Sequence, residues 1–79
     1  MSGAEVDRLV TMANQIARFF ESQPGDGAAR ATADHLNSFW APTMREQLRE
    51  HAAAGGSGLS ALVAAAVPLL RPARTDAPG

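Results

Sequence analysis

Hydrophobic positions in the first twenty residues recur at intervals of three and one, the spacing of one helical face. This pattern predicts an amphipathic helix. Ser2, followed three residues later by Glu5, predicts its start, because the two side chains can satisfy free backbone N–H groups. The segment QPGDG, residues 23–27, cannot continue a helix and predicts its end. The stripe consists of Val6, Leu9, Val10, Ala13, Ile16, Ala17 and Phe20.

A second helix is predicted from about Ala28 to Phe39, with Asp26 as its N-terminal cap. Pro42 disfavours helical geometry at Ala41 but suits the first turn of a new helix, so WAPTMR predicts a tight corner. The second helix carries one apolar stripe, with Thr32 beside it. That stripe is Ala29, Ala33, Leu36 and Trp40.

A third helix is predicted from the corner to about Ala54, where the GGSG segment ends it. Met44, Leu48 and Ala52 recur every four residues on its inner face. The solvated remainder of this helix is predicted to be Arg45, Glu46, Arg49 and Glu50.

A fourth helix is predicted from Leu59, with Ser57 as its cap. Pro68 interrupts the pattern, since a helix-interior proline removes a hydrogen bond and crowds the preceding turn, so a kink or an end is expected near Val67. Residues 71–79 lack periodicity and are predicted to be a disordered tail. The apolar positions of the fourth helix are Leu59, Leu62, Val63, Ala66, Val67 and Leu70.

No alternating run typical of a strand interrupts these helices. The sequence therefore predicts an all-α protein, a compact bundle of three to four short helices. Its single helical domain is expected to span residues 1–70.

The amino-acid composition excludes several kinds of binding site. The 79 residues include no cysteine, which excludes disulfides and thiolate metal sites, and the formal charge is −1. All seven basic residues are arginines against eight acidic ones, so nucleic-acid binding is disfavoured. No apolar run approaches the 18 or so residues that span a bilayer, and no basic leader precedes one, which predicts a soluble, cytoplasmic protein without membrane contact.

Catalytic and metal sites find little support. His35 and His51 each follow a carboxylate, Asp34 and Glu50, but around neither do favoured ligands recur at helical spacing. With no lysine, no G-x-S-x-G and little mass for a sheltered pocket, an independent enzyme is not expected. The GGSG segment lacks the residues of a phosphate-binding loop and is interpreted as a linker.

The first helix carries more apolar surface than a thin bundle covers. Met12, Ile16 and Phe19 form a second stripe beside the first. Two interpretations stay open: this stripe faces another chain, or the fourth helix buries it.

Two further features point to a partner. Phe39 and Trp40 diverge by about 100° on a helix, so one ring is expected in the core and the other half exposed or at an interface. Arg45 and Arg49, at i and i+4, form either a solvated face or a clamp for a carboxylate or phosphate. The candidate partner interface is Met12, Ile16, Phe19, Phe39, Trp40, Met44, Arg45 and Arg49.

Three segments together resemble a known family: LVTMANQIARFFESQP (residues 9–24), ADHLNSFWAPTMREQL (33–48) and GGSGLSALVAAAVPLL (55–70). The order and spacing of MANQIA, FF, HL, FW and the following Pro and Met-Arg are similar to the small delta subunit of bacterial NAD-dependent, molybdenum- or tungsten-containing formate dehydrogenases.

The resemblance implies a non-catalytic accessory subunit of a cytoplasmic complex, which docks on the catalytic alpha subunit to assemble, stabilise or mature it. Larger subunits of that complex would carry bis-molybdopterin guanine dinucleotide, iron–sulfur clusters and FMN. This chain is expected to hold no cofactor or metal.

A different class of function remains as the alternative. A small helical regulator would dimerise through the first helix and bind nucleic acid through Arg45, Arg49, Arg71 and Arg74. Steep loss of affinity with rising salt would distinguish it from an apolar subunit interface.

Overall fold

The computed structural model of the chain describes residues 3–25 and 27–71, and side chains from residue 5 onward within those ranges. Four α-helices follow one another: α1 (Gly3–Phe20), α2 (Gly27–Phe39), α3 (Pro42–Ala53) and α4 (Ala61–Ala66). A 3-10 turn, Val67–Leu69, follows α4, and the described ranges contain no strand. The all-α prediction is confirmed. The proposed caps Ser2 and Asp26 and tail residues 72–79 lie outside the described residues.

The apolar stripes of all four helices meet in one core, because each helix is amphipathic and buries its apolar face against the others. On α2 the buried positions are Ala28, Thr32, Ala33 and Leu36, so Ala28 lies inside where the pattern favoured Ala29. The Thr32 hydroxyl is satisfied by donating to the Ala28 carbonyl at 2.8 Å. The core cluster comprises Leu9, Ala13, Ala17, Ala33, Leu36, Trp40, Leu48, Val63, Ala66 and Leu70.

The corner between α2 and α3 forms as predicted. Ala41 is extended, with φ −63° and ψ 149°, and Pro42 occupies the first turn of α3. A proline fits there because the N–H that it lacks would have no helical partner. The corner turns α3 back so that Leu48 enters the core, where its side chain is fully buried.

The glycines after α3 close that helix. The N–H of Gly56 donates to the His51 carbonyl at 2.9 Å, and the N–H of Gly55 donates to the Ala52 carbonyl at 3.2 Å. This pair of bonds is the Schellman arrangement, which needs a positive φ at the first glycine, and Gly55 has φ +125°.

The predicted cap of α4 is wrong. Ser60, not Ser57, caps the helix, with its Oγ accepting from the Val63 N–H at 3.2 Å. The α1 residue Asn14 sets this boundary, because its amide donates to the Gly58 carbonyl at 2.9 Å and accepts from the Ser60 N–H at 3.0 Å. At the other end, α4 stops at Ala66 and Pro68 lies in the 3-10 turn, which confirms an end near Val67.

Among the described residues, no helix combines the length and the apolar composition needed to cross a bilayer.

Candidate partner interface

Four rings form a continuous row across the C-terminal ends of α1 and α2. Phe19 and Phe20 meet edge to face with centroids 5.2 Å apart, and Phe20 lies 6.1 Å from the His35 ring. His35 in turn lies 4.7 Å from Phe39, its i+4 neighbour on α2. We call Phe19, Phe20, His35 and Phe39 the aromatic row. Its ring contacts connect α1 to α2.

The two ends of the aromatic row are exposed. The Phe19 side chain is 80% exposed and Phe39 is 75% exposed, while Phe20 and His35 are half-buried. A phenylalanine left in water forgoes about 1.5–3 kcal/mol of transfer free energy relative to burial. Two such rings, held in one row rather than scattered, are typical of a protein-binding surface.

The second stripe of α1 connects the core to this row. Met12 and Ile16 are half-buried and pack against the core cluster, and Phe19 continues the stripe into solvent. Met44, from the first turn of α3, is also half-buried against the core. Burial inside the bundle thus accounts for part of the surplus apolar surface, and Phe19 is the part that remains uncovered.

Of the two adjacent rings at the corner, one lies in the core and the other at the surface, as predicted. Trp40 is the core ring, with only 6% of its surface exposed, and its backbone N–H donates to the Leu36 carbonyl at 2.9 Å. Phe39 is the outer ring. The adjacent rings therefore have different roles: Trp40 closes the bundle, and Phe39 is available to another molecule.

Arg45 is buried, contrary to the predicted solvated face of α3. Only 8% of its surface is exposed, and its Nη1 donates to the Trp40 carbonyl at 2.9 Å and more weakly to the Asn37 carbonyl at 3.5 Å. The last carbonyls of a helix lack helical partners, and a cation there is favourable. Arg45 therefore caps α2, and its Nε is buried without a partner. Arg45 is therefore not accessible to nucleic acid, although the alternative function counted it among the four arginines that bind it.

Arg49 remains at the surface, one turn further along α3. Its Nη1 lies 3.4 Å from the Leu70 carbonyl, and its Nε lies 4.0 Å from a carboxylate oxygen of Glu46. Both distances are at the outer limit for such contacts. Arg45 and Arg49 do not act as a paired clamp, because only Arg49 is accessible.

A cleft of about 580 Å³ opens beside Arg49, between the end of α3 and the α4 segment. It shares no residue with the aromatic row. The residues that line it are Arg49, Ala52, Ala53, Gly55, Gly56, Leu59, Ala64, Val67 and Pro68.

The two histidines lie apart. His35 belongs to the aromatic row, and the Nε2 of His51 lies 2.7 Å from the Ser57 carbonyl oxygen. Within the part of the chain that the structure describes, no three histidine, aspartate or glutamate side chains come close enough to hold a metal ion. The N–H groups of Gly55 and Gly56 point back to α3, so this glycine pair does not cradle a phosphate.

Two members of the aromatic row, Phe20 and His35, were absent from the interface predicted from the sequence. The i, i+4 spacing of His35 and Phe39 on α2 is a sequence signal for the contact between these two rings. The contact between Phe20 and His35 joins different helices, and no local spacing reports it.

Comparison with known protein families gives one finding. A family model described as NADH-dependent formate dehydrogenase delta subunit FdsD matches residues 8–67, from the first half of α1 to the start of the 3-10 turn. No curated protein matches the chain.

Proposed function

The chain belongs to the family of NADH-dependent formate dehydrogenase delta subunits, and from that premise we propose that it is a non-catalytic accessory subunit that docks on the catalytic alpha subunit of the complex. Docking assembles, stabilises or matures that subunit. The observation that carries the docking proposal is the aromatic row, with Phe19 and Phe39 exposed at its two ends.

The two exposed rings alone are too small to form a whole interface. A buried aromatic side chain removes about 150–250 Å² from water, whereas a stable interface buries about 800 Å² on each side. Phe19 and Phe39 are therefore anchors within a wider contact. Interfaces commonly take most of their binding energy from a few such aromatic anchors.

The proposed contact surface follows the half-buried stripe that leads to the row. In this proposal the exposed parts of Met12, Ile16 and Met44, which are half-buried against the core, also contact the partner. Trp40 and Arg45 are buried and do not contact the partner directly. They stabilise the corner that bears Phe39. Arg49 belongs to a separate cleft.

The partner supplies the redox chemistry in this proposal. We infer that larger subunits carry bis-molybdopterin guanine dinucleotide, iron–sulfur clusters and FMN, and that this chain carries no cofactor. The complex is inferred to be cytoplasmic, because NADH-dependent chemistry draws on the nicotinamide pool inside the cell.

The test uses the dehydrogenase complex purified from cells that lack this chain. The wild-type chain is expected to bind it and to restore its activity or molybdenum content. The double variant Phe19→Ser, Phe39→Ser is expected to stay folded and to lose at least about thirtyfold in affinity, which corresponds to the roughly 2 kcal/mol or more that truncation of one hot-spot residue costs.

The matched control is Gln15→Ser with Ser38→Ala, which alters two exposed polar residues on the same two helices. It is expected to bind like the wild type. Unchanged affinity of the double phenylalanine variant would contradict docking through the aromatic row. Binding that disappears between low and moderate salt, together with retained nucleic acid, would favour the regulator alternative.

A further inference from the structure

The cleft beside Arg49 is lined mainly by short aliphatic side chains, and backbone and guanidinium atoms add polar surface to it. Ala52 and Ala53 from α3 face Ala64, Val67 and Pro68 from the α4 segment across it. Its volume of about 580 Å³ lies in the range of pockets that accept ligands or inserted side chains. The alanines on both walls leave the opening unfilled, and its volume gives room for an inserted side chain.

Arg49 is the one charged residue among those that line the cleft. Its guanidinium is weakly engaged, because the contact with the Leu70 carbonyl is 3.4 Å long and that with Glu46 is 4.0 Å. The pair with Glu46 is part exposed, at 36% and 40% for the two side chains, and solvent screening makes exposed ion pairs weak. An incoming anion therefore displaces little.

The charge of the cleft suits one carboxylate rather than a phosphate. Phosphate sites combine a cation with several free backbone N–H groups. Here the N–H groups of Gly55 and Gly56 donate to α3 carbonyls and are not available. One guanidinium presents a fork of donors that matches a single carboxylate.

We propose that this cleft binds a segment of the larger subunit in which an acidic side chain adjoins an aliphatic one. The carboxylate pairs with Arg49, and the aliphatic side chain lies between the walls formed by Ala52, Ala64 and Val67. This inference rests on the proposed function, since the segment belongs to the same partner. It adds a second contact, chemically distinct from the aromatic row.

The experiment compares affinities for the dehydrogenase complex purified without this chain. Arg49→Gln is expected to weaken binding about tenfold and to reduce its salt dependence. Glu46→Gln is expected to tighten binding about two- to threefold, because it removes the competing carboxylate. Ala64→Phe fills the cleft from an exposed position and is expected to weaken binding at least tenfold.

Matched controls lie outside the cleft. Arg30→Gln removes an exposed cation from α2, and Ala61→Phe adds a ring at an exposed position of α4. Both are expected to bind like the wild type, and circular dichroism verifies that every variant is folded. A photoreactive diazirine analogue of leucine in place of Leu59, which lines the cleft, keeps the size of the side chain and is expected to crosslink to a partner peptide in which Asp or Glu adjoins an aliphatic residue.

The outcomes separate the two proposals. If the wild-type chain binds the complex, the phenylalanine variants lose binding, and the Arg49, Glu46 and Ala64 variants match the wild type, then the cleft inference is wrong and the proposed function stands. Crosslinks to residues 72–79 of the chain itself would also overturn the cleft inference. If the wild-type chain does not bind the complex, the proposed function fails first, and the inference fails with it.

Discussion

Arg45 on α3 closes the end of α2 by donating from its Nη1 to the carbonyl oxygen of Trp40 at 2.9 Å. Without this contact the buried carbonyl of Trp40 would lose its donor, because the chain leaves the helix at an extended Ala41 and Pro42 has no N–H. One buried arginine thus joins two helices and fixes the backbone on both sides of the exposed Phe39.

The first prediction concerns this cap. Arg45→Met keeps the aliphatic stem but removes the donors, and it is expected to lower the free energy of unfolding by about 1–3 kcal/mol, the usual cost of orphaned buried carbonyls. Urea unfolding followed by circular dichroism measures it. Arg30→Met, at an exposed position of α2, serves as the control and is expected to change stability by less than about 0.5 kcal/mol. Equal stability of the two variants would show that the cap contributes nothing.

The second prediction separates the neighbouring rings. Trp40→Ala removes a core ring and is expected to cost about 3–5 kcal/mol, enough to unfold much of so small a bundle. Phe39→Ala removes an exposed ring and is expected to leave the isolated chain within about 0.5 kcal/mol of the wild type. Thermal unfolding monitored by circular dichroism distinguishes the two. A comparable loss in both variants would contradict the division of roles between core and interface.

The third prediction tests the corrected boundary of α4. Ser60→Ala removes the side-chain acceptor for the Val63 N–H and is expected to cost about 1 kcal/mol. Ser57→Ala should be nearly neutral, because only the backbone carbonyl of Ser57 contacts His51. Amide hydrogen exchange at Val63 is expected to accelerate in the first variant alone. Faster exchange at Val63 in the Ser57 variant would instead indicate that Ser57 caps α4, as the sequence analysis expected.

The fourth prediction isolates backbone strain at two glycines. A Cβ at Gly25 or Gly55 would meet nothing within 4 Å, so steric contact is not at issue at either. Gly55 has φ +125°, outside the left-handed region that other residues tolerate, and Gly55→Asn is expected to cost about 1–3 kcal/mol. Gly25 has φ +61°, and Gly25→Asn is expected to cost under about 1 kcal/mol. Denaturant midpoints rank the two variants, and the reverse order would refute this explanation.

Local pattern was sufficient for the helices and for much of the core. Helical spacing identified α1, α2 and α3 to within a residue or two of their observed ends, since amphipathic periodicity and breakers such as Pro24 and Pro42 act over a single turn. The same pattern showed that Phe39 and Trp40 diverge. Packing had to decide which ring turned inward.

The errors arose where a distant residue completes a local structure. The sequence analysis placed the cap of α4 at Ser57. Asn14, 46 residues before Ser60, fixes the loop instead by hydrogen bonds to the Gly58 carbonyl and the Ser60 N–H, and Ser60 becomes the cap. The aromatic row has the same origin, because Phe20 and His35 meet only when α1 and α2 pack together. Sequence spacing carries no record of such contacts.

The sequence by itself determined the all-α class, three of the four helix spans and the family resemblance, because these follow from residue order within short segments. Only the tertiary structure decided that Arg45 is buried, that Arg49 faces a cleft, and that Phe19 and Phe39 end one exposed row. The physical reason is that burial depends on which helix covers which face. A charged side chain is buried when another helix presents unpaired carbonyls within its reach, as α2 does to Arg45.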